Sequence, residues 1–131
     1  MGKSQKGIQW FLVNDNQTIV RDDIVVFSSG KLSAGADAAA AGTVVGFALD
    51  AVTTTTATAA DYIPVDVDPQ AVRTFAYDGA GAPVIGAAYD LDSAHAVDTD
   101  DTTGGYVVCV GDVNTTAKTA SFGLAGRYNK G

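Results

Sequence analysis

Apolar residues along this chain come in short runs separated by Asp, Gly, Ser and Asn. "GIQWFLV" (Gly7 to Val13) is the first, and "NDNQ" after it reads as a turn. A run from Ile24 to Phe27 follows, then a Ser-Ser-Gly turn and a second short strand around Leu32. Thr43 to Ala51 is apolar at both parities, which predicts a strand buried on both faces. In "DYIPVDVDP" the alternation is clean: Tyr62 and Pro64 fall with Asp66 and Asp68, against Ile63, Val65 and Val67. Pro64 within it predicts an edge strand or a bulge. "AVRTFAYDG" alternates as well, with Val72, Thr74 and Ala76 opposing Arg73, Phe75 and Tyr77, and Asp78-Gly79 turns the chain. "PVIGAAYDLD" reads as a strand and "HAVDTDDTTGG" as a turn region. Tyr106 to Val113 and the segment "TASFGLAGRY" supply the last two strands.

The segments between are less regular. "SAGADAAAAG" reads as a short turn or loop, bracketed by Gly35 and Gly42. "TTTTATAA" (Thr53 to Ala60) is either an exposed hairpin tip or an edge strand with a threonine ladder. Val44-Val45-Gly46 repeats as Val84-Ile85-Gly86, with Ala48 matching Ala88 and Asp50 matching Asp90. This suggests two similar strand units, each with a mid-strand Gly marking a bulge or a close backbone crossing. Short strands with turn signals every 8 to 12 residues or so predict an all-β fold, a small sandwich or barrel of about eight or nine strands. Residues 1–13 are expected to be an N-terminal arm or first strand, and 14–131 a single β domain.

Composition sharpens this picture. All 15 acidic residues are Asp, which favours turns and caps, and Glu, a good helix former, is absent. With 131 residues and 47% apolar content the chain can bury a core without disulfides or metal. Net charge is −7. Between Gly7 and Ala117 the basic residues are Arg21, Lys31 and Arg73, while Lys3, Lys6, Lys118, Arg127 and Lys130 lie towards the ends. An acidic body of this kind has nothing to neutralise a run of phosphates, so nucleic acid is not an expected partner. No apolar run reaches the ~18 residues of a membrane span. The opening "MGKSQKGIQW" lacks the apolar core of a secretory signal, which predicts a soluble protein made in the cytoplasm.

Candidate chemistry is sparse. His95 lies between two alanines in a polar turn, and a Ser-His-Asp arrangement around it would have to be assembled in space, since no nucleophile elbow is present. "SSGKLS" fails as a phosphate loop: Val25 and Leu32 stand where Gly and Ser or Thr are needed. Asp98, Asp100 and Asp101 near Gly104 could converge on calcium, but solvated turn aspartates are the simpler reading. Cys109 sits inside "YVVCV" as a buried thiol. No catalytic residue, cofactor or metal is therefore expected. The strongest interaction candidate is the first apolar run: Ile8, Trp10, Phe11 and Leu12 either complete the core or anchor on a partner.

The order "DDIVVFSSGKLSAG…GTVVGFALDAV…DYIPVDV" resembles the capsid decoration (head-stabilising, cement) proteins of tailed bacteriophages. "IGAAYDLDSAHAVDTDDTTGGYVVCVGDV" looks like the second half of such head proteins. The resemblance spans roughly Arg21 to Gly126 and rests on strand patterns. It implies a β-rich structural module, commonly trimeric, bound to the major capsid protein on the outer surface of the virion and made in the host cytoplasm. It further implies that an arm carrying Ile8, Trp10, Phe11 and Leu12 touches the shell or a neighbouring copy, so that removing residues 1–13 would leave a folded protein unable to bind. A carbohydrate-binding or adhesin-like β-module, a hydrolase built on His95, and another virion subunit such as a tail-tube protein are the alternatives.

Overall fold

In the computed structural model, residues 7–28, 30–35, 44–58, 60–102 and 105–124 are described. The chain is all-β: the described residues form twelve strands and no helix. Contacts divide it into two compact units. The first takes in residues up to Gly35 together with the segment ending at Asp68, and the second begins at Pro69. The sequence expectation for "SAGADAAAAG" falls largely outside the described residues, as do Lys3, Lys6, Arg127 and Lys130.

The first unit contains β1 (Ile8–Leu12), β2 (Thr18–Ile19), β3 (Ile24–Ser28), β4 (Lys31–Ala34), β5 (Val44–Ala48), β6 (Val52–Thr53) and β7 (Tyr62–Asp66). Five of these form a sheet in the order β1-β7-β5-β3-β4. Its pairs are antiparallel. An isolated parallel bridge from Val13 to Leu32 then ties the first strand to the last, so the sheet curls into a ring. Val13, Val25, Leu32, Val45, Ile63 and Val65 line its interior. β7 keeps the alternation of its sequence, with Ile63 and Val65 inside and Tyr62, Pro64 and Asp66 outside.

Pro64 lies on an interior strand, not at an edge. Its carbonyl accepts from the Leu49 N–H at 3.0 Å, one residue past the end of β5. In an antiparallel pair the N and O of one residue face the same neighbour, so the missing proline N–H falls where that ladder ends. Gly46 is the close crossing its sequence position suggests: a Cβ there would overlap the Asp66 carbonyl oxygen. The β3–β5 register also shifts at this point, between Val25 and Val26.

The Thr-Ala tract is neither a free tip nor a long ladder. β6 pairs with β2. Beyond it, the buried Thr54 hydroxyl donates to the Asn14 carbonyl at 2.6 Å and accepts from the Gln17 N–H at 3.0 Å. The Asp15 carboxylate accepts from the Ala57 N–H at 2.8 Å. The "NDNQ" turn, with Asn16 in the left-handed region, therefore holds the tract in place.

The second unit contains β8 (Val72–Asp78), β9 (Ala88–Ser93), β10 (Ala96–Asp98), β11 (Val107–Asn114) and β12 (Thr119–Leu124), closed into a barrel in the order β10-β8-β12-β11-β9. All pairs are antiparallel except β10 with β8. Phe75, Tyr77, Leu91, Val97, Val107, Cys109, Ala120, Phe122 and Leu124 are buried. "PVIGAAYDLD" is a strand only from Ala88 onward, because Val84 to Ala87 form a turn. "HAVDTDD" conceals the three residues of β10, which sequence reading takes for turn.

Each unit repeats the other's strand order. Following the chain, the five ring strands are first, second, third, fourth and fifth. In both rings the first neighbours the fifth, the fifth the fourth, the fourth the second and the second the third, and a parallel contact returns from third to first. Register agrees at the centre of the rings, although β11–β12 and β10–β9 in the second unit and β3–β5 in the first carry shifts that the other unit does not share. Ile24 opposite Phe47 corresponds to Ala88 opposite Val108, and Phe47 opposite Asp66 to Val108 opposite Gly123. Phe11 opposite Ile63 corresponds to Phe75 opposite Ala120, and Phe27 opposite Leu32 to Leu91 opposite Val97.

The connections correspond too. Asp23 N–H donates to the Val20 carbonyl at 3.1 Å, with Asp22 at φ 74; Ala87 N–H donates to Val84 at 3.0 Å, with Gly86 at φ 92. Both are turns whose third residue is left-handed, the type II pattern. Asp22 N–H and the Asp23 carbonyl then bond both main-chain groups of Ala48, as Gly86 N–H and the Ala87 carbonyl bond those of Cys109. Val13 N–H reaches the Asp61 carbonyl and Tyr77 N–H reaches Lys118, each at 3.0 Å. The true counterpart of Val84 is thus Val20. The likeness of Val84-Ile85-Gly86 to Val44-Val45-Gly46 is not structural: the latter lies in buried β5, the former in an exposed turn.

Candidate interaction surface

β1 is built by a run that is apolar at both parities, so pairing decides which residues turn inward. Along β1, Phe11 packs against the core of the first unit, and Val13 just beyond it is fully buried within that core. The Phe11 ring meets Phe27 edge-on, with centroids 5.2 Å apart at 77°. Alternation sends Ile8, Trp10 and Leu12 to the outer face. There Ile8 lies opposite Asp66, Trp10 opposite Pro64 and Leu12 opposite Tyr62. The result is a continuous outer strip of Trp10, Pro64, Leu12 and Tyr62, with Trp10 59% and Tyr62 49% exposed.

The four residues singled out from sequence are therefore split. Trp10 stands outward with the half-buried Ile8 and Leu12, while Phe11 belongs to the interior side. The strand also pairs with β7 along its whole length. Removing residues 1–13 would strip a ring strand and two interior side chains, so that truncation does not separate folding from binding.

At the corresponding outer positions of the second unit stand Val72, Thr74 and Ala76 on β8 and Thr119 and Ser121 on β12. Thr74 and Ala76 are exposed, whereas Ser121 is buried and its hydroxyl donates to the Asp112 carboxylate at 3.1 Å. The fold is thus met twice, once with large aromatics on this face and once with small or hydroxylated side chains.

The remaining sequence candidates are absorbed by turns and cores. His95 is exposed at the tip of the β9–β10 hairpin, where its N–H points to the Ser93 hydroxyl at 3.4 Å. The Asp98 carboxylate accepts from the Asp100 N–H at 3.0 Å, and Asp100 from the Ala80 N–H at 3.2 Å. Those carboxylates close turns, and no group of three metal-ligating side chains converges among the described residues. Cys109 is fully buried in β11, and burial pushes its thiol pKa up against a weaker opposing hydrogen bond from the Gly111 backbone. The Val84–Ala87 turn holds Val84 and Ile85 out at 64% and 61% exposure. No pocket opens among the described residues, and no helix is long and apolar enough to cross a membrane.

No family model matches the chain, and no curated protein matches it.

Proposed function

We propose that this chain is a structural, non-enzymatic capsid decoration protein of a tailed bacteriophage. It binds the major capsid protein on the outside of the head as a homo-oligomer, trimeric as the resemblance implies, and stabilises the shell. The observation that carries this reading is the outer strip of β1 and β7, a rigid apolar surface on strands rather than a reactive centre in a cleft. Rigid strands present such side chains at little entropic cost, which favours docking over catalysis. Aromatic side chains of this kind are the usual anchors of protein interfaces. β3, β5 and β7 fall within the segments that carry the resemblance.

Purified protein incubated with undecorated mature and immature heads and imaged by electron microscopy tests the reading. Regular added density on the outer surface, with heads that break at a higher temperature, is the expected result. Heads that stay bare at saturating protein would refute it.

A further inference from the structure

The repeated ring supplies an internal control for this surface. We infer that the chain is a tandem duplicate of one five-stranded ring in which this strand face is a docking face on the first unit and not on the second: the β1–β7 strip centred on Trp10 and Tyr62, for an apolar protein surface fringed with basic residues; this rests on the decoration reading above.

Three observations lead there. First, topology and connecting turns coincide in the two units, and the pairs β1–β7 and β8–β12 both run without a register shift, so their outer positions can be compared one to one. Trp10 corresponds to Thr74, Leu12 to Ala76 and Tyr62 to Thr119. Second, the ring closes with the small residues in the second unit, so folding does not call for the aromatics in the first. Large apolar side chains exposed where the fold is indifferent mark a contact surface. Inner positions behave oppositely: Phe11 and Phe75, Leu32 and Val97, Val65 and Phe122 are apolar in both units because the ring interior dictates it.

Third, charge selects the occupant. Asp66 lies beside Ile8 on the outer face, and its carboxylate accepts from the Asp68 N–H at 3.1 Å. A second copy laid on the strip would bring together two chains that each carry −7. Like charges brought together oppose that pairing, while basic groups on a partner would complement it. Contacts between copies therefore lie elsewhere.

The test exchanges residues for their counterparts, in the double variant Trp10→Thr/Tyr62→Thr. Binding to undecorated heads, measured by co-sedimentation, is expected to weaken about 30-fold or more, the loss associated with removing interface anchors. Urea midpoint and oligomeric mass by light scattering are expected to match the parent. Undiminished head binding would overturn the inference, as would a fall in oligomeric mass, which would place a second copy on the strip. A collapse of the urea midpoint would make the strip structural and overturn it too. A parent that leaves heads bare sinks the decoration reading instead. The face is then judged on a resin carrying phenyl and quaternary ammonium groups: earlier elution of the double variant supports the docking face, and equal retention overturns it.

Discussion

Replacing Gly46 with Ala places one methyl group where the main chain of β7 already runs. The new Cβ would overlap the Asp66 carbonyl oxygen and lie 3.0 Å from both the Asp66 carbonyl carbon and Val65 Cγ1. Carbon atoms rest roughly 3.5–4.0 Å apart, so three atoms must yield. Two of them are backbone and cannot rotate away. Relief requires β7 to move off β5, where Phe47–Asp66 and Ala48–Val65 are the paired residues. Overpacking of this kind costs about 1–3 kcal/mol, and a lost ladder hydrogen bond adds about 1 kcal/mol. The smaller unfolded-state entropy of Ala returns about 0.5–1 kcal/mol. The net loss is about 1–3.5 kcal/mol, a large share of a typical stability of roughly 5–15 kcal/mol. With a urea slope near the middle of the usual range, about 2 kcal/mol per molar, the midpoint should fall by roughly 0.5–2 M. The sole tryptophan, Trp10, belongs to the same unit and reports its unfolding. Gly81→Ala is the control, because nothing lies within 4 Å of its added Cβ, and it should stay within about 0.5 kcal/mol of the parent. A Gly46→Ala protein whose midpoint matches that of Gly81→Ala would show that the two strands do not approach closely here.

Two further outcomes concern buried groups. Thr54→Val keeps the side-chain shape but orphans the Asn14 carbonyl and the Gln17 N–H, so it should cost about 1–3 kcal/mol in urea denaturation; a neutral result would mean that the Thr-Ala tract is not held by the "NDNQ" turn. Burial raises the folded-state pKa of Cys109 above the ordinary 9.0, so the unfolded thiol ionises first. Its contribution is whole below about pH 9 and erodes above it by about 1.4 kcal/mol per pH unit until the folded thiol also ionises. Cys109→Ala, which installs the counterpart residue Ala48, should flatten the alkaline limb of the stability curve by up to one proton; identical slopes from pH 8 to about 10.5 would contradict the burial argument.

Local physics made much of the fold readable. The alternation of "DYIPVDV" and "AVRTFAY" names the inward residues of β7 and β8, because a strand with one buried face must alternate. Gly46 stands out as a close crossing for want of any other reason to interrupt an apolar strand. What escaped depends on partners distant in sequence. β10 has one fully buried apolar side chain, Val97, between Ala96 and Asp98, and exists because it pairs with both β8 and β9. Pro64 is tolerated inside the sheet because β5 stops short of it, which no local pattern announces. Trp10 and Phe11 cannot be assigned to faces within an apolar run until β7 fixes the register. The duplication is hidden for a related reason: the two units share main-chain pairing more than side chains, and the most visible likeness, Val44-Val45-Gly46 with Val84-Ile85-Gly86, joins positions that do not correspond.

That mismatch separates two kinds of constraint within one chain. The ring interior accepts any apolar side chain of suitable volume, so Val25 and Tyr89, or Leu32 and Val97, occupy like places without sharing identity. The connecting turn constrains only backbone angle, and Asp22 and Gly86 satisfy it by different means: Gly has no Cβ to clash, and Asp is among the residues that tolerate the left-handed region. The outer face is constrained by neither packing nor angle. A Trp and a Tyr placed there expose apolar area to water that the corresponding Thr residues do not, a cost the second unit avoids at these positions. Retaining that cost on one unit follows if the exposed area is covered in the assembled state, since burying an aromatic side chain removes roughly 150–250 Å² from water. The asymmetry between two otherwise matching rings, more than the exposure of any single residue, is what assigns the β1–β7 face to contact and leaves the corresponding β8–β12 face without that role.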